Sequence, residues 1–255
     1  KALTEGSGDR DNDIHSARKA MKRMRGLLRL IRGELGTDIY RLENTGCRDA
    51  ARQLASLRDA TVLVATLDSL ATDANADTRQ VGTAVRQRLE DRRRSAYDDR
   101  VADRQDAIDE VVAHVLSADA RVDDWPLKRA GWKMVDSGML RVYRRGRLEF
   151  DDCSWQPSTE RLHQWRKRVK YLYYQSQILQ PMWPAIMAAW QDELDRLGDL
   201  LGDDHDLAVL GQKLQEDGAT NFGPLLVQIG QRRHALQRQA LILGMRIYGE
   251  RPADW

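Results

Sequence analysis

The sequence predicts an all-α protein made of two related helical halves, and three observations carry that expectation. Among 255 residues there are only 6 prolines and 2 phenylalanines, while Arg, Ala and Leu abound. Such residues lose little side-chain freedom in a helix, so the composition favours helices throughout. Apolar residues recur at helical rather than strand spacing, and the chain repeats itself. A hydrophobic content of 42% excludes a disordered chain, and the length is ample for a sizeable core. We therefore expect a single domain over residues 10–250, with halves 10–115 and 158–250 joined by a middle segment, 116–157.

The repeat is legible residue by residue. Ile14-His15-Ser16-Ala17-Arg18-Lys19-Ala20-Met21-Lys22 matches Leu162-His163-Gln164-Trp165-Arg166-Lys167-Arg168-Val169-Lys170. Both read apolar-His-x-x-Arg-Lys-x-x-Lys, at an offset of 148. Arg58-Asp59-Ala60-Thr61-Val62-Leu63 matches His205-Asp206-Leu207-Ala208-Val209-Leu210 at an offset of 147. Arg86 and Arg100 map onto Arg232 and Arg246 at an offset of 146. Correspondences in the same order at a nearly constant offset mark an internal duplication.

Each element follows from its spacing. Ile14, Ala17, Met21, Met24, Leu28, Ile31 and Leu35 predict a helix over 12–35, with Gly36-Thr37-Asp38 as its stop and the next start. A second helix is expected to about Leu57, a short one to about Leu70, and one long helix over 77–116. The middle segment holds an amphipathic helix around Trp125–Arg145, an ambiguous stretch Leu140–Phe150, and a loop over Asp151–Pro157. The second half reads as helices 159–180, 184–201, 205–216 and 223–249, punctuated by Pro181, Pro184 and Gly202-Asp203-Asp204.

The net charge of +2 conceals a strong segregation, for 33 of the 41 basic residues are arginines and eight are lysines. Arginine suits bidentate contact with phosphate and stays charged when partly buried. At 100° per residue, His15, Arg18, Lys19, Lys22, Arg25, Arg29 and Arg32 fall within an arc of about 140°. No acidic residue interrupts that arc. The matching helix keeps Arg166, Lys167 and Lys170 in phase and adds Tyr173, Tyr174 and Gln177. Arg79, Arg86, Arg93 and Arg100 recur every seven residues, Arg232 and Arg246 hold the same phase in the second half, and Tyr143-Arg144-Arg145-Gly146-Arg147 forms a further basic end. Solvated faces normally mix signs, because like charges one turn apart repel. Several single-sign stripes on a charge-balanced chain point instead to a field that concentrates a polyanion.

Other chemistries find little support. Exposed aromatics interleaved with the basic residues are lacking, which argues against single-stranded nucleic acid. No helix-turn-helix, zinc-finger, phosphate-binding loop or nucleophile-elbow signature occurs, so no catalytic residue and no cofactor is assigned. His15 and His163 sit among cations that oppose a metal ion, and neither has a second His at i+3 or i+4. Gly202-Asp203-Asp204-His205-Asp206 resembles a carboxylate metal site, but its counterpart holds one acid, so an Asp N-cap opening a helix is expected. No apolar run approaches the roughly 18–20 residues of a membrane span, and no secretory leader opens the chain. Cys47 and Cys153 fit no disulfide or metal spacing, which points to a reducing, cytoplasmic compartment.

These motifs in combination resemble the CHAD family, the conserved histidine α-helical domains. The likeness rests on the paired His-x-x-Arg-Lys-x-x-Lys helices, on Arg58-Asp59-x-x-Val62 and His205-Asp206-x-x-Val209, and on Tyr143-Arg144-Arg145-x-Arg147. The resemblance implies two pseudo-symmetric bundles whose basic helices face a central groove or pore, binding inorganic polyphosphate and associated with polyphosphate granules. By motif match it implies a ligand-facing set of His15, Arg18, Lys19, Lys22, His163, Arg166, Lys167 and Lys170, extended by Arg25 and Arg29. The basic stripes add Arg79, Arg86, Arg93, Tyr143, Arg144, Arg147, Arg232 and Arg246 as candidates. No Glu-x-Glu-x-Lys strand of an attached triphosphatase domain is found, so binding without catalysis is expected. A phospho-transfer enzyme using His15 or His163, or a general polyanion binder, is the alternative. One departure is Tyr171–Tyr174, where the first half carries Arg23 and Arg25, so the halves are expected to contribute unequally.

Overall fold

A computed structural model of the chain describes residues 10–54, 59–71, 76–98, 101–217 and 222–251. Among them the order is α1 (Arg10–Leu30), α2 (Arg32–Gln53), α3 (Asp59–Ala71), α4 (Ala76–Asp98), α5 (Val101–Asp119), α6 (Trp132–Trp155), α7 (Thr159–Leu179), α8 (Pro184–Glu216) and α9 (Gly223–Ile247). Short 3-10 turns at Val122–Asp124 and Gln180–Met182 lie between α5 and α6 and between α7 and α8. The described residues contain no strand, and the fold is all-α.

Several boundaries differ from the expected ones for local reasons. The first helix ends at Leu30, and Gly36 instead bends the start of α2 with a left-handed φ of 74°. Glycine takes that conformation without steric cost. The ambiguous stretch Leu140–Phe150 and most of the expected loop after it belong to α6, which buries Val142, Tyr143, Phe150 and Cys153. Gly202-Asp203-Asp204 does not break the chain, and α8 runs unbroken through it. Gly202 and Asp204 are both buried there, so tertiary packing overrides a local helix-stop signal.

Among the described residues the core comprises four apolar clusters. One joins α6, α7, α8 and α9 around Trp165, Leu172, Leu197 and Tyr248. A second joins α3 and α4 to the C-terminal half of α8 and to α9. The remaining two seat α1 and α2 against α6 and α5. Packing thus crosses the sequence halves, since α3 and α4 from the first lie on α8 and α9 from the second.

Two approaches place the N-terminal helices. Glu43, 3% exposed, accepts both an Nε–H and an Nη2–H from Arg121 at 2.8 and 3.1 Å, tying α2 to the segment after α5. Where α6 crosses α1, a Cβ at Gly138 would lie 1.8 Å from the Leu30 carbonyl oxygen. Gly138→Ala should therefore destabilise the protein by about 1–3 kcal/mol in urea unfolding, because backbone must move. Gly33→Ala, whose Cβ would meet only Ser137 Oγ at 3.5 Å, should be neutral.

Candidate functional site

The N-terminal turns of α1, the middle of α7 and α8, and the start of α3 enclose a cavity of about 670 Å³. From α1 it receives His15, Arg18, Lys19 and Lys22. From α7 come Arg166, Lys170, Tyr173 and Tyr174, and from α8 Asp195, Asp199, His205, Asp206 and Lys213. Val62 and Leu63 of α3 complete the wall. Six cations face three carboxylates, a formal surplus of three positive charges, on a chain whose net charge is +2.

The helices converge because their other faces are apolar. Ile14, Ala17 and Leu28 of α1 and Trp165, Val169 and Leu172 of α7 are buried. The two helices also meet directly. A Cβ at Gly26 would lie 2.9 Å from the Tyr174 Cβ, and the buried Gln175 donates from Nε2 to the Gly26 carbonyl at 3.4 Å.

Crowding like charges has a measurable consequence at Lys22. Its side chain reaches water but stands within the concave wall. Burial first, then the charges of Arg18, Arg166 and Lys170, push its pKa down to about 8, against a partial lift from Asp206. Lys170 is tethered instead. Its Nζ lies 3.4 Å from both Asp195 Oδ1 and Asp199 Oδ1 and 5.4 Å from the centre of the Tyr173 ring. Gly198 leaves the space this side chain occupies, since a Cβ there would come within 2.7 Å of Lys170 Nζ. Arg166 Nε is buried without a hydrogen-bond partner. Burial raises the pKa of Tyr173 and takes that of Tyr174 to about 12, so both hydroxyls remain donors at neutral pH.

Gly202-Asp203-Asp204-His205-Asp206 serves two purposes from inside α8. Asp204, 2% exposed, accepts from Arg233 Nε at 3.0 Å and from Gln237 Nε2 at 2.7 Å, anchoring α9. Asp206 and His205 line the cavity. The expected N-cap is therefore corrected: Asp206 lies mid-helix, where backbone amides are already bonded, and its carboxylate faces the basic wall. His163 stands behind His205, off the cavity wall, with ring centroids 4.6 Å apart. Burial and then the neighbouring His205 and Lys167 push the His163 pKa down to about 4, and burial also lowers that of His205. Both imidazoles are neutral at pH 7.

The structure distributes the remaining candidates widely. Arg25 and Arg29 point to Tyr171, with guanidinium carbons 5.7 and 3.8 Å from the ring centre. Arg29 thereby joins a separate cluster with Arg32, Arg141, Arg145 and Arg168. Tyr143 is fully buried and donates its hydroxyl to the Glu250 carbonyl at 2.9 Å. Arg147 donates to the same carbonyl, so these two clamp the C-terminal segment and do not face the cavity. Arg86 is held by Asp68 at 2.9 Å and Glu90 at 2.8 Å, bridging α3 and α4. Lys167 is exposed and donates to Gln164, and Arg144 and Arg232 are exposed away from the cavity. Arg246 borders a different depression beside Arg196 and Gln239. The side chains of Arg79 and Arg93, and Arg58, lie outside the described residues. Lys213, Asp195 and Asp199 were not among the sequence candidates. The recurrence Asp192, Asp195, Asp199, Asp203, Asp206 at helical spacing is the signal that marks the acidic face of α8.

Two similar helices of an all-α domain thus bring cations to one cavity wall. The chain belongs to the CHAD domain family, whose model matches residues 2–215. No curated protein and no solved structure matches the chain significantly. Among the described residues no helix is long and apolar enough to cross a membrane, and no cluster of His, Cys, Asp and Glu is arranged to hold a metal ion.

The imidazole pair makes acid stability a readout of this geometry. A folded-state pKa below the ordinary value means that the unfolded chain binds more protons between pH 6.5 and 4. Stability is therefore complete above that window and falls as pH drops through it. Between pH 7 and 4.5 the wild type should lose about 1–2 kcal/mol that His163→Gln does not, allowing for partial solvation of the ring. Urea unfolding at both pH values checks this.

Proposed function

We propose that the protein binds inorganic polyphosphate in the basic cavity without transforming it, in the cytoplasm and at polyphosphate granules. The observation that carries this reading is the meeting of His15, Arg18, Lys19 and Lys22 with Arg166 and Lys170 on one wall. Family membership supports it, since CHAD domains are associated with polyphosphate.

The mechanism is electrostatic and multivalent. Successive phosphates replace small counterions along the cationic wall, and the released ions drive association. Arginine adds directional bonds and lysine adds point charge. Tyr173, Tyr174 and neutral His205 contribute hydrogen bonds without charge. At Lys170 the ligand's oxygens replace Asp195 and Asp199 as partners, an exchange that tempers affinity and leaves binding reversible. No step requires a metal or a covalent intermediate.

Titration calorimetry at about 150 mM salt tests the reading with long-chain polyphosphate, pyrophosphate and a DNA oligomer of matched charge. Long polyphosphate should bind far more tightly than the others. Replacing Arg18, Lys22, Arg166 and Lys170 together by Ala should weaken it at least 100-fold, at roughly 1 kcal/mol or more per charged contact. The log–log salt slope should be about −3 to −4 if some five phosphates are neutralised. Equal affinity for DNA would reduce the site to a generic polyanion binder. Phosphate release or protein phosphorylation seen by phosphorus NMR would make it an enzyme.

Lys22 supplies a second test. An anion favours the charged amine, so affinity should be complete below about pH 8 and decline above it. Calorimetry at pH 8.5 in buffers of different ionisation enthalpy should show proton uptake on binding. Lys22→Arg should bind with little pH dependence between 7 and 9 and little uptake, because guanidinium does not titrate there.

A further inference from the structure

A second cavity, of about 870 Å³, shares no lining residue with the basic one. It lies between the first turns of α6, the turn at Gln180–Met182 and the first turns of α8. Its volume falls in the range of small-molecule sites, which are mostly apolar with a few placed polar groups.

Three tryptophans line it, and two of them stand far out into water: Trp132 is 48% and Trp183 61% exposed. Met182 and Ile186 beside them are also half-exposed, and Met139 and Met187 form the floor. Large apolar side chains grouped on a surface mark a place that is covered in use. Methionines adapt their shape to what covers them.

The polar content of the cavity selects the occupant. Its charged residues are two carboxylates, Asp136 and Glu193, and no Lys, Arg or His lines it. Asp136 accepts from the adjacent Ser137 amide. Glu193 Oε2 is buried and has no hydrogen-bond partner. A buried acceptor left without a donor costs free energy, more so when it carries charge. An incoming ammonium relieves that cost, and indole faces attract the same group through their quadrupoles. An anionic ligand meets only repulsion here, and a neutral donor can bond the carboxylate but brings it no countercharge.

We propose that this cavity binds an amphiphilic organic cation. Its alkyl or aryl body packs among Trp132, Trp183 and the methionines, and its ammonium group is held by Glu193 and Asp136 against the indoles. The site is independent of polyphosphate binding.

The test uses hexylammonium at sub-micellar concentration and neutral pH, with 1-hexanol and hexyl sulfate as neutral and anionic counterparts. Tryptophan emission and calorimetry should show saturable one-site binding of the cation, at least tenfold tighter than either counterpart. Glu193→Gln, which keeps the side-chain volume, should weaken it at least tenfold while leaving the helical circular dichroism and polyphosphate affinity unchanged. Trp183→Ala removes an exposed side chain and should weaken it several-fold. The proposal is overturned if the alcohol binds as well as the cation, if Glu193→Gln leaves affinity intact, or if no saturable binding occurs.

Discussion

Everything about this molecule depends on holding two cationic helices against each other. α1 and α7 both turn positive charge toward the same cavity, and unscreened charges of one sign at such range oppose folding. Burial first, and then Arg18, Arg166 and Lys170, lower the pKa of Lys22, so part of that shift reflects the opposition. Apolar packing on the far faces offsets the repulsion. Ile14 and Leu28 on one helix and Trp165 and Leu172 on the other are withdrawn from water almost completely. The close approach at Gly26 lets backbone and buried amide meet where larger residues would separate the helices.

α8 balances this arrangement. It spans Pro184–Glu216 without interruption and contributes to three core clusters, so it acts as a rigid wall for the cavity. Its acidic face tethers Lys170 and counters Lys22, reducing the field without abolishing the positive surplus. Asp204 faces the other way and is satisfied by Arg233 and Gln237, which fix α9. Adjacent residues of one motif thus divide between anchoring and lining. The helical rotation of 100° per residue is the reason.

Arginines with similar helical phase also meet different fates. Arg18 borders the cavity, whereas Arg29, three turns further along α1, stacks on Tyr171 among other arginines. A straight helix carries its stripe past the cavity's edge, and whatever packs beyond that edge decides the later residues' surroundings. Arg147, in the third basic run, is spent on a backbone carbonyl near the C-terminus, alongside the buried Tyr143.

Helical class and the repeated His-x-x-Arg-Lys-x-x-Lys motif were legible in the sequence alone. Each of these is local: propensity, a 3.6-residue period and a repeated motif need no partner to be read. Element ends were less legible, because Gly202 and Asp204 read as a helix stop until burial carries α8 through them. The membership of the cavity wall was decided only by tertiary structure. Phase tells which way Arg18 and Arg166 point on their own helices but not that α1 crosses α7. Nor does phase reveal that Asp195 and Asp199 arrive from α8, or that His163 is set behind His205. Those outcomes depend on contacts between residues far apart in the chain, which the close packing of whole apolar faces selects.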